Sequence, residues 1–293
     1  MNKISQRHHY LPEFYLNGFT NNNKEFLIYL IKEGRFKKNG KYFSPKSHFF
    51  ENDANTLYNE NDSTDFLEQS YSESDDMVAK IFEKVKTSNE HNYGITDYEI
   101  AILQYFVAKL FWRIPINKEV IERIIKNRTL KQLGLVLKDK NTNLPVSDEQ
   151  FENKLKSDPN FLKLAKQWLP TATYLSIMEC KSPITIIPFP DKLPAICSDN
   201  PLIFRNPIKL DIYKDDFILP LTSEKILIRT KKVKKQIHTN VKVEIDMLLL
   251  MQANEYVCST DLTYPIILKQ VFSNEYKSVE NIRNKIFEKL CEE

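Results

Sequence analysis

Two adjacent histidines, His8 and His9, stand near the head of the chain in a run from Gln6 to Thr20 that also carries Tyr10, Phe14, Tyr15 and Phe19. Imidazole changes charge near neutral pH without help from its surroundings, so His9 is the leading candidate for general acid or base work. Pro12, three residues on, restricts the backbone and presents a fixed surface, which suits catalysis or docking. The structural alternative is an imidazole bonded to a buried carbonyl while the aromatics fasten an N-terminal arm to the core. Termini are normally loose, and this one carries more apolar surface than a loose end needs. In an extended segment His8 and His9 point to opposite faces and do not share one ion. A metal site would need His9 together with remote carboxylates such as Asp199 or Asp76, and nothing local supports one, so neither metal nor cofactor is expected.

Arg113 follows Phe111 and Trp112 at the end of an apolar run, where an unpaired guanidinium is costly. It either clamps a phosphate or carboxylate, or caps a helix and bridges a buried acid. Ser198-Asp199-Asn200-Pro201 carries turn chemistry. Loops at strand ends also hold active sites, which keeps Asp199 and Asn200 as site candidates. Arg229, Lys231, Lys232, Lys234 and Lys235 form a dense basic run, and Arg123, Lys126, Arg128 and Lys131 a looser one. Either could track a phosphate backbone, although a charge run is more often a solvated turn.

His9-Tyr10-Leu11-Pro12, followed by Phe14-Tyr15-Leu16 and Phe19, resembles the opening of the bacterial domain-of-unknown-function family 4238, marked by a His-x-x-Pro motif and an aromatic segment. The resemblance extends to an acidic helix near Glu73 to Val85, to Phe111-Trp112-Arg113-Ile114-Pro115, and to Cys197-Ser198-Asp199-Asn200-Pro201. Where the family pattern implies a glutamate in the acidic helix, this chain has Asp75 or Asp76. The resemblance implies a family and supplies no activity.

Composition narrows the classes. Lys+Arg of 42 against Asp+Glu of 39 leaves a net charge of +3, so no global field recruits nucleic acid and any basic site must be local. Five glycines and no Gly-rich phosphate loop argue against nucleotide-triphosphate chemistry of the familiar kinds. Cys180, Cys197, Cys258 and Cys291 lie far apart, which argues against a zinc ribbon or a secreted disulfide framework. With no apolar leader and no run of membrane-spanning length, the expected location is cytoplasmic, with no membrane partner.

The elements that must position these residues emerge from pattern. Glu25 to Ile31 reads as a strand, with Gly34 and Asn39-Gly40 as turns. Met77, Val78, Ile81, Phe82 and Val85 share a helical face, and Thr96-Asp97-Tyr98-Glu99 has capping-box spacing before an apolar helix that Pro115 stops. Val120 to Ile125 marks a further helix, Lys138 to Asp148 a polar loop, and Asp158-Pro159 the start of another helix. Beyond residue 181, dense prolines alternate with short aliphatic runs. Val243, Met247, Leu248, Leu250, Met251 and Val257 then suggest a helix, and Val279 to Leu290 an amphipathic one behind Ser278. The expected fold is α+β, a helical middle packed on short, mostly antiparallel strands with the aromatic arm docked on the core. It is read as a single domain over 1–293, with sub-regions 1–60 (arm and strands), 61–180 (helical) and 181–293 (strands, turns and two C-terminal helices).

The expected activity is a metal-independent phosphodiesterase or ribonuclease-like effector in bacterial stress or phage defence. In that scheme His9 deprotonates the attacking hydroxyl, Arg113 stabilises charge on phosphorus, and Asp199 or Asn200 orients the imidazole. RNA or DNA would be met through Lys231, Lys232, Lys234 and Lys235. The alternative is a non-catalytic ligand- or protein-binding module, and a protein partner or homo-oligomer is open under either reading.

Overall fold

Apolar runs of helical period become the helices between Phe66 and Met178, with short strands before and after them and three further helices beyond residue 239. In this computed structural model, residues 6–59, 62–88, 94–127, 129–133, 135–178, 183–189, 192–207, 215–234, 237 and 240–291 are described. Among them nine α-helices run in chain order: α1 Glu13–Leu16, α2 Phe66–Thr87, α3 Asp97–Arg113, α4 Lys118–Lys126, α5 Asp148–Ser157, α6 Pro159–Met178, α7 Asn240–Gln252, α8 Tyr264–Glu275 and α9 Val279–Leu290. With antiparallel sheets beside them, the fold is α+β. The chain resolves into two compact units, each assembled from separate segments.

The first unit comprises Met1–Tyr10, Phe50–Val78 and Asp97–Cys180. Strand Arg7–His9 pairs antiparallel with Phe50–Asn52, setting His8 opposite Glu51 and His9 opposite Phe50. Strand Leu57–Asn59 pairs antiparallel with Asp62–Thr64. Helix α3 buries Leu103 and every residue from Phe106 to Trp112, and packs along α6. Such all-round burial is what its unbroken apolar run requires. Ile114 turns extended ahead of Pro115, ending the helix where a proline must. At the start of α6, the Asp158 carboxylate accepts the amides of Asn160 and Phe161 at 2.9 and 3.2 Å, with Pro159 in the first turn. Helix α5 begins one residue past Ser147, whose hydroxyl and Gln150 close a reciprocal capping box.

The second unit comprises Leu11–Phe49, Ala79–Thr96 and Lys181–Glu293. One antiparallel sheet runs Ile203–Phe204, Phe217–Pro220, Lys225–Arg229, Ile184–Pro188. Another runs Arg35–Phe36, Phe26–Leu30, Tyr256–Ser259, Ile196–Ser198, with Tyr42–Phe43 also on Phe26–Leu30. Its core gathers Ile196, Ile218, Ile228, Ile245, Leu248 and Phe287 from these sheets and from α7 and α9. Val257, grouped with a helix on pattern, lies in a strand opposite Tyr29 and Ser198, because α7 stops at Gln252 and a turn intervenes. Three helices rather than two occur after residue 239 among the described residues. Helix α8 escaped the pattern because Ile266 and Ile267 face outward, blurring its stripe, and it starts where the Asp261 carboxylate takes the amides of Thr263 and Tyr264 at 2.7 and 2.8 Å.

The aromatic arm is buried as its composition requires. Tyr15, Leu16 and Phe19 are fully covered in the second unit, where the Tyr15 hydroxyl donates to Pro220 O at 2.8 Å and Phe14 meets Phe82 edge-on at 5.2 Å. Gly18 is needed here for closeness, since a Cβ on it would stand 2.7 Å from Leu221 O. Among the described residues no helix is long and apolar enough to cross a membrane.

Candidate functional site

In the first unit the segment carrying His8 and His9 is held by its main chain. Arg113 Nη2 donates to the His9 carbonyl at 2.6 Å, while Nη1 reaches both Asp75 oxygens at 3.0 and 2.9 Å. The two side chains are 6% and 16% exposed, so this is a largely desolvated pair whose partners need each other. Asp75 sits one turn after Tyr71 on α2, and the guanidinium carbon lies 4.5 Å from the Tyr71 ring centroid. His8 is buried, and its Nδ1 accepts the Asn55 amide at 2.9 Å, so the ring carries its proton on Nε2. The His9 ring meets Phe50 edge-on at 5.6 Å.

These residues border a cavity of about 270 Å³. His8, His9, Trp112 and Arg113 form one part of its wall, and Lys118, Lys163 and Lys166 supply positive charge from α4 and α6. Glu51 is the carboxylate in the lining, and Tyr10, Ala54, Pro159 and Leu162 give it apolar surface. Lys163 Nζ donates to the carbonyls of Asp53 and Thr56 at 3.0 and 2.8 Å, tying α6 to the loop after Asn52. Trp112 Nε1 and Arg113 Nε are buried and find no acceptor among the described residues. Burial pushes the Lys166 amine down; Lys118 and Lys163 push the same way, against Glu122 and Glu51.

A buried cationic cluster flanks the cavity wall. Lys109, 3% exposed, donates to Ser74 Oγ and lies 4.6 and 5.4 Å from the ring centroids of Tyr71 and Tyr105. Burial, with Arg113 nearby, lowers its amine to about 8. Burial also pushes the Tyr71 phenol up to about 12.

A family model described as a protein of unknown function, DUF4238, matches residues 7–289, nearly the whole chain. The chain belongs to that family. No curated protein and no solved structure matches it. In this DUF4238 member, His9 and Arg113 meet through the main chain at the edge of the cavity.

Asp199 and Asn200 belong to the second unit. The Asp199 carboxylate accepts the amides of Asn254, Glu255 and Tyr256 at 2.9, 2.7 and 3.2 Å, organising the turn before strand Tyr256–Ser259. Burial raises its pKa, and those three bonds oppose the rise. Asn200 Nδ2 donates to Gln252 O at 3.2 Å, and Gln252 Nε2 returns a bond to Asn200 O at 2.6 Å. Turn architecture therefore accounts for the polar groups of both residues.

In the basic run, Lys231 and Lys232 are exposed, while Lys234 Nζ donates to Glu288 O at 2.5 Å; Lys235 lies outside the described residues. Arg229 is buried and donates twice to Asp215 O, at 3.1 and 2.5 Å, so it is not surface charge.

Sequence reasoning missed Glu51, Lys118, Lys163 and Lys166. The one available signal was the three-residue spacing of Lys163 and Lys166 on a predicted helix, which by itself looks like any solvated face.

Proposed function

We propose that the cavity of the first unit receives an anionic small molecule. The observation that carries this reading is the convergence of Lys118, Lys163 and Lys166 from two helices on one cavity beside Arg113. Lys118 and Lys166 make no hydrogen bond or ion pair among the described residues, so their ammonium groups are available to a ligand. The size suits a compact ligand; small-molecule pockets typically run from about 300 Å³ upward.

Trp112 provides the assay. With Trp168 replaced by phenylalanine, Trp112 becomes the sole tryptophan, and its fluorescence should change saturably as inorganic phosphate, sulfate or acetate is added. Lys118→Ala/Lys166→Ala should abolish the change. Failure of all three anions to bind at up to about 10 mM, a binding free energy of only about −2.7 kcal/mol, rejects the reading.

A hydrolytic reading of the same cavity is favoured by one further observation, that His9 and Glu51 line it beside the lysines. Metal-independent phosphodiester cleavage needs a proton acceptor and a charge stabiliser. His9 would serve as the first. Lys118 or Lys166 would take the part expected of Arg113, whose Nη groups are occupied by Asp75 and the His9 carbonyl. Turnover of bis(p-nitrophenyl) phosphate that disappears in His9→Gln supports cleavage; its absence alongside anion binding leaves a binding module.

A further inference from the structure

We propose that the ligand of this cavity is a hydroxylated organic anion, of the kind represented by a polyol phosphate or a hydroxy acid, and that Tyr71 and Asn55 read its hydroxyl group. The inference rests on the anion-site reading and adds the ligand's second functional group.

Charge alone selects little here. Arg113 is paired with Asp75 and feels Glu68, Asp53 acts on Lys163, and Glu51 and Glu122 act on Lys166. With acids answering these cations, ligands of equal charge are separated by the neutral groups of the wall. A second anionic group on the ligand would also meet the Glu51 carboxylate in the lining.

Two neutral oxygens in that wall are open. Tyr71 lines the cavity and is only 4% exposed, yet its hydroxyl makes no hydrogen bond among the described residues. Lys109 Nζ and the Arg113 guanidinium lie 4.6 and 4.5 Å from its ring centroid and fix the ring. With the phenol pushed up to about 12, the hydroxyl keeps its proton at neutral pH and offers it to an acceptor. Asn55, also in the lining, is held by its backbone amide, which donates to His8 Nδ1 at 2.9 Å, and by Nδ2, which donates to Glu68 Oε2 at 2.7 Å. A carboxylate only accepts, so the orientation of the Asn55 amide is settled and Oδ1 is left as an acceptor without a partner among the described residues. Neither oxygen is among the buried atoms closed off from contact, as Trp112 Nε1 and Arg113 Nε are. Glu68 links the pair, standing three residues before Tyr71 on α2, bonded to Asn55 and felt by the Tyr71 phenol.

A hydroxyl group both accepts and donates. It can take the Tyr71 proton and give its own to Asn55 Oδ1, whereas a methylene in its place leaves both oxygens unmatched. The space sets the scale of the molecule. At roughly 30 Å³ per water the cavity holds on the order of nine, enough for an anionic group on a short hydroxylated chain and too little for a stretch of nucleic acid.

The test is isothermal titration of the full chain at neutral pH with two pairs of equal charge, glycerol 3-phosphate against n-propyl phosphate and glycerate against propionate. In at least one pair the hydroxylated member should bind about tenfold tighter, the worth of the one or two hydrogen bonds its partner lacks. The pair that does so names phosphate or carboxylate as the anionic group. Tyr71→Phe keeps the ring beside its two cations and loses only the hydroxyl. It should bring the ratio to about threefold or less while leaving the affinity for the unhydroxylated member unchanged, and its melting temperature verifies that it is folded. Equal binding within both pairs overturns the inference and leaves the anion site standing, as does a ratio that folded Tyr71→Phe does not reduce. Binding by none of the four overturns the anion site itself.

Discussion

Replacing Lys109 by methionine tests whether a charged amine is held in the interior of the first unit at a cost. Burial lowers its pKa from 10.5 to about 8. Between those values the unfolded chain binds the proton and the folded chain does not, so the unfolding free energy increases with pH across that window. Below about pH 8 both states are protonated and the folded state carries the whole penalty. A displacement of about 2.5 pH units at 1.36 kcal/mol each corresponds to roughly 3 kcal/mol. Lys109→Met, similar in length and uncharged, removes that linkage along with the bond to Ser74 and the contacts with Tyr71 and Tyr105. The stability of the variant relative to the parent should therefore fall by about 3 kcal/mol between about pH 7 and pH 10.5. Urea denaturation of both proteins, monitored by circular dichroism at several pH values, measures this difference. Lys163, Lys166 and Lys225, whose amines burial also lowers, contribute equally to both curves and cancel. Parallel curves for parent and variant would refute the reasoning, whatever the offset between them.

The packing sets three further outcomes. Arg113→Met strands the Asp75 carboxylate and should cost about 3–5 kcal/mol in urea denaturation, with Asp75→Asn/Arg113→Met recovering part of the loss; a double variant no better than the single would deny the pairing. Gly18→Ala forces a Cβ against Leu221 O and should cost about 1–3 kcal/mol, seen as a lowered melting temperature; an unchanged melt means the backbone yields freely. If Lys231 and Lys232 touch a phosphate backbone, changing both to glutamine should lower the salt slope of RNA or DNA binding by about one per lysine; a constant slope returns them to a solvated turn.

Local signals carried far in this chain. Strand Phe26–Leu30, the span of α3 between its capping sequence and Pro115, and the burial of Tyr15 and Phe19 were all legible, because each is decided by neighbours in sequence or by sheer apolar surface. Helix α8 and the strand position of Val257 were not, since outward-facing isoleucines and an aspartate fifty-odd residues upstream shape them. At the site, His9 and Arg113 stood out by type. That they meet through a carbonyl could not be read from pattern, nor could the choice of Asp75 over Asp76, which depends on which α2 face lies toward α3. The lysines were invisible for a different reason: cations on amphipathic helices are the rule, and only the tertiary fold shows three of them around one hollow.

Arg113 grips position 9 by its carbonyl, an atom every amino acid possesses. Mutation can therefore exchange the imidazole there without releasing the anchor, as long as the backbone path is kept. Scaffold and side chain are therefore separable at this point of the chain: a substitution at position 9 alters the lining of the hollow while the arginine clamp stays in place.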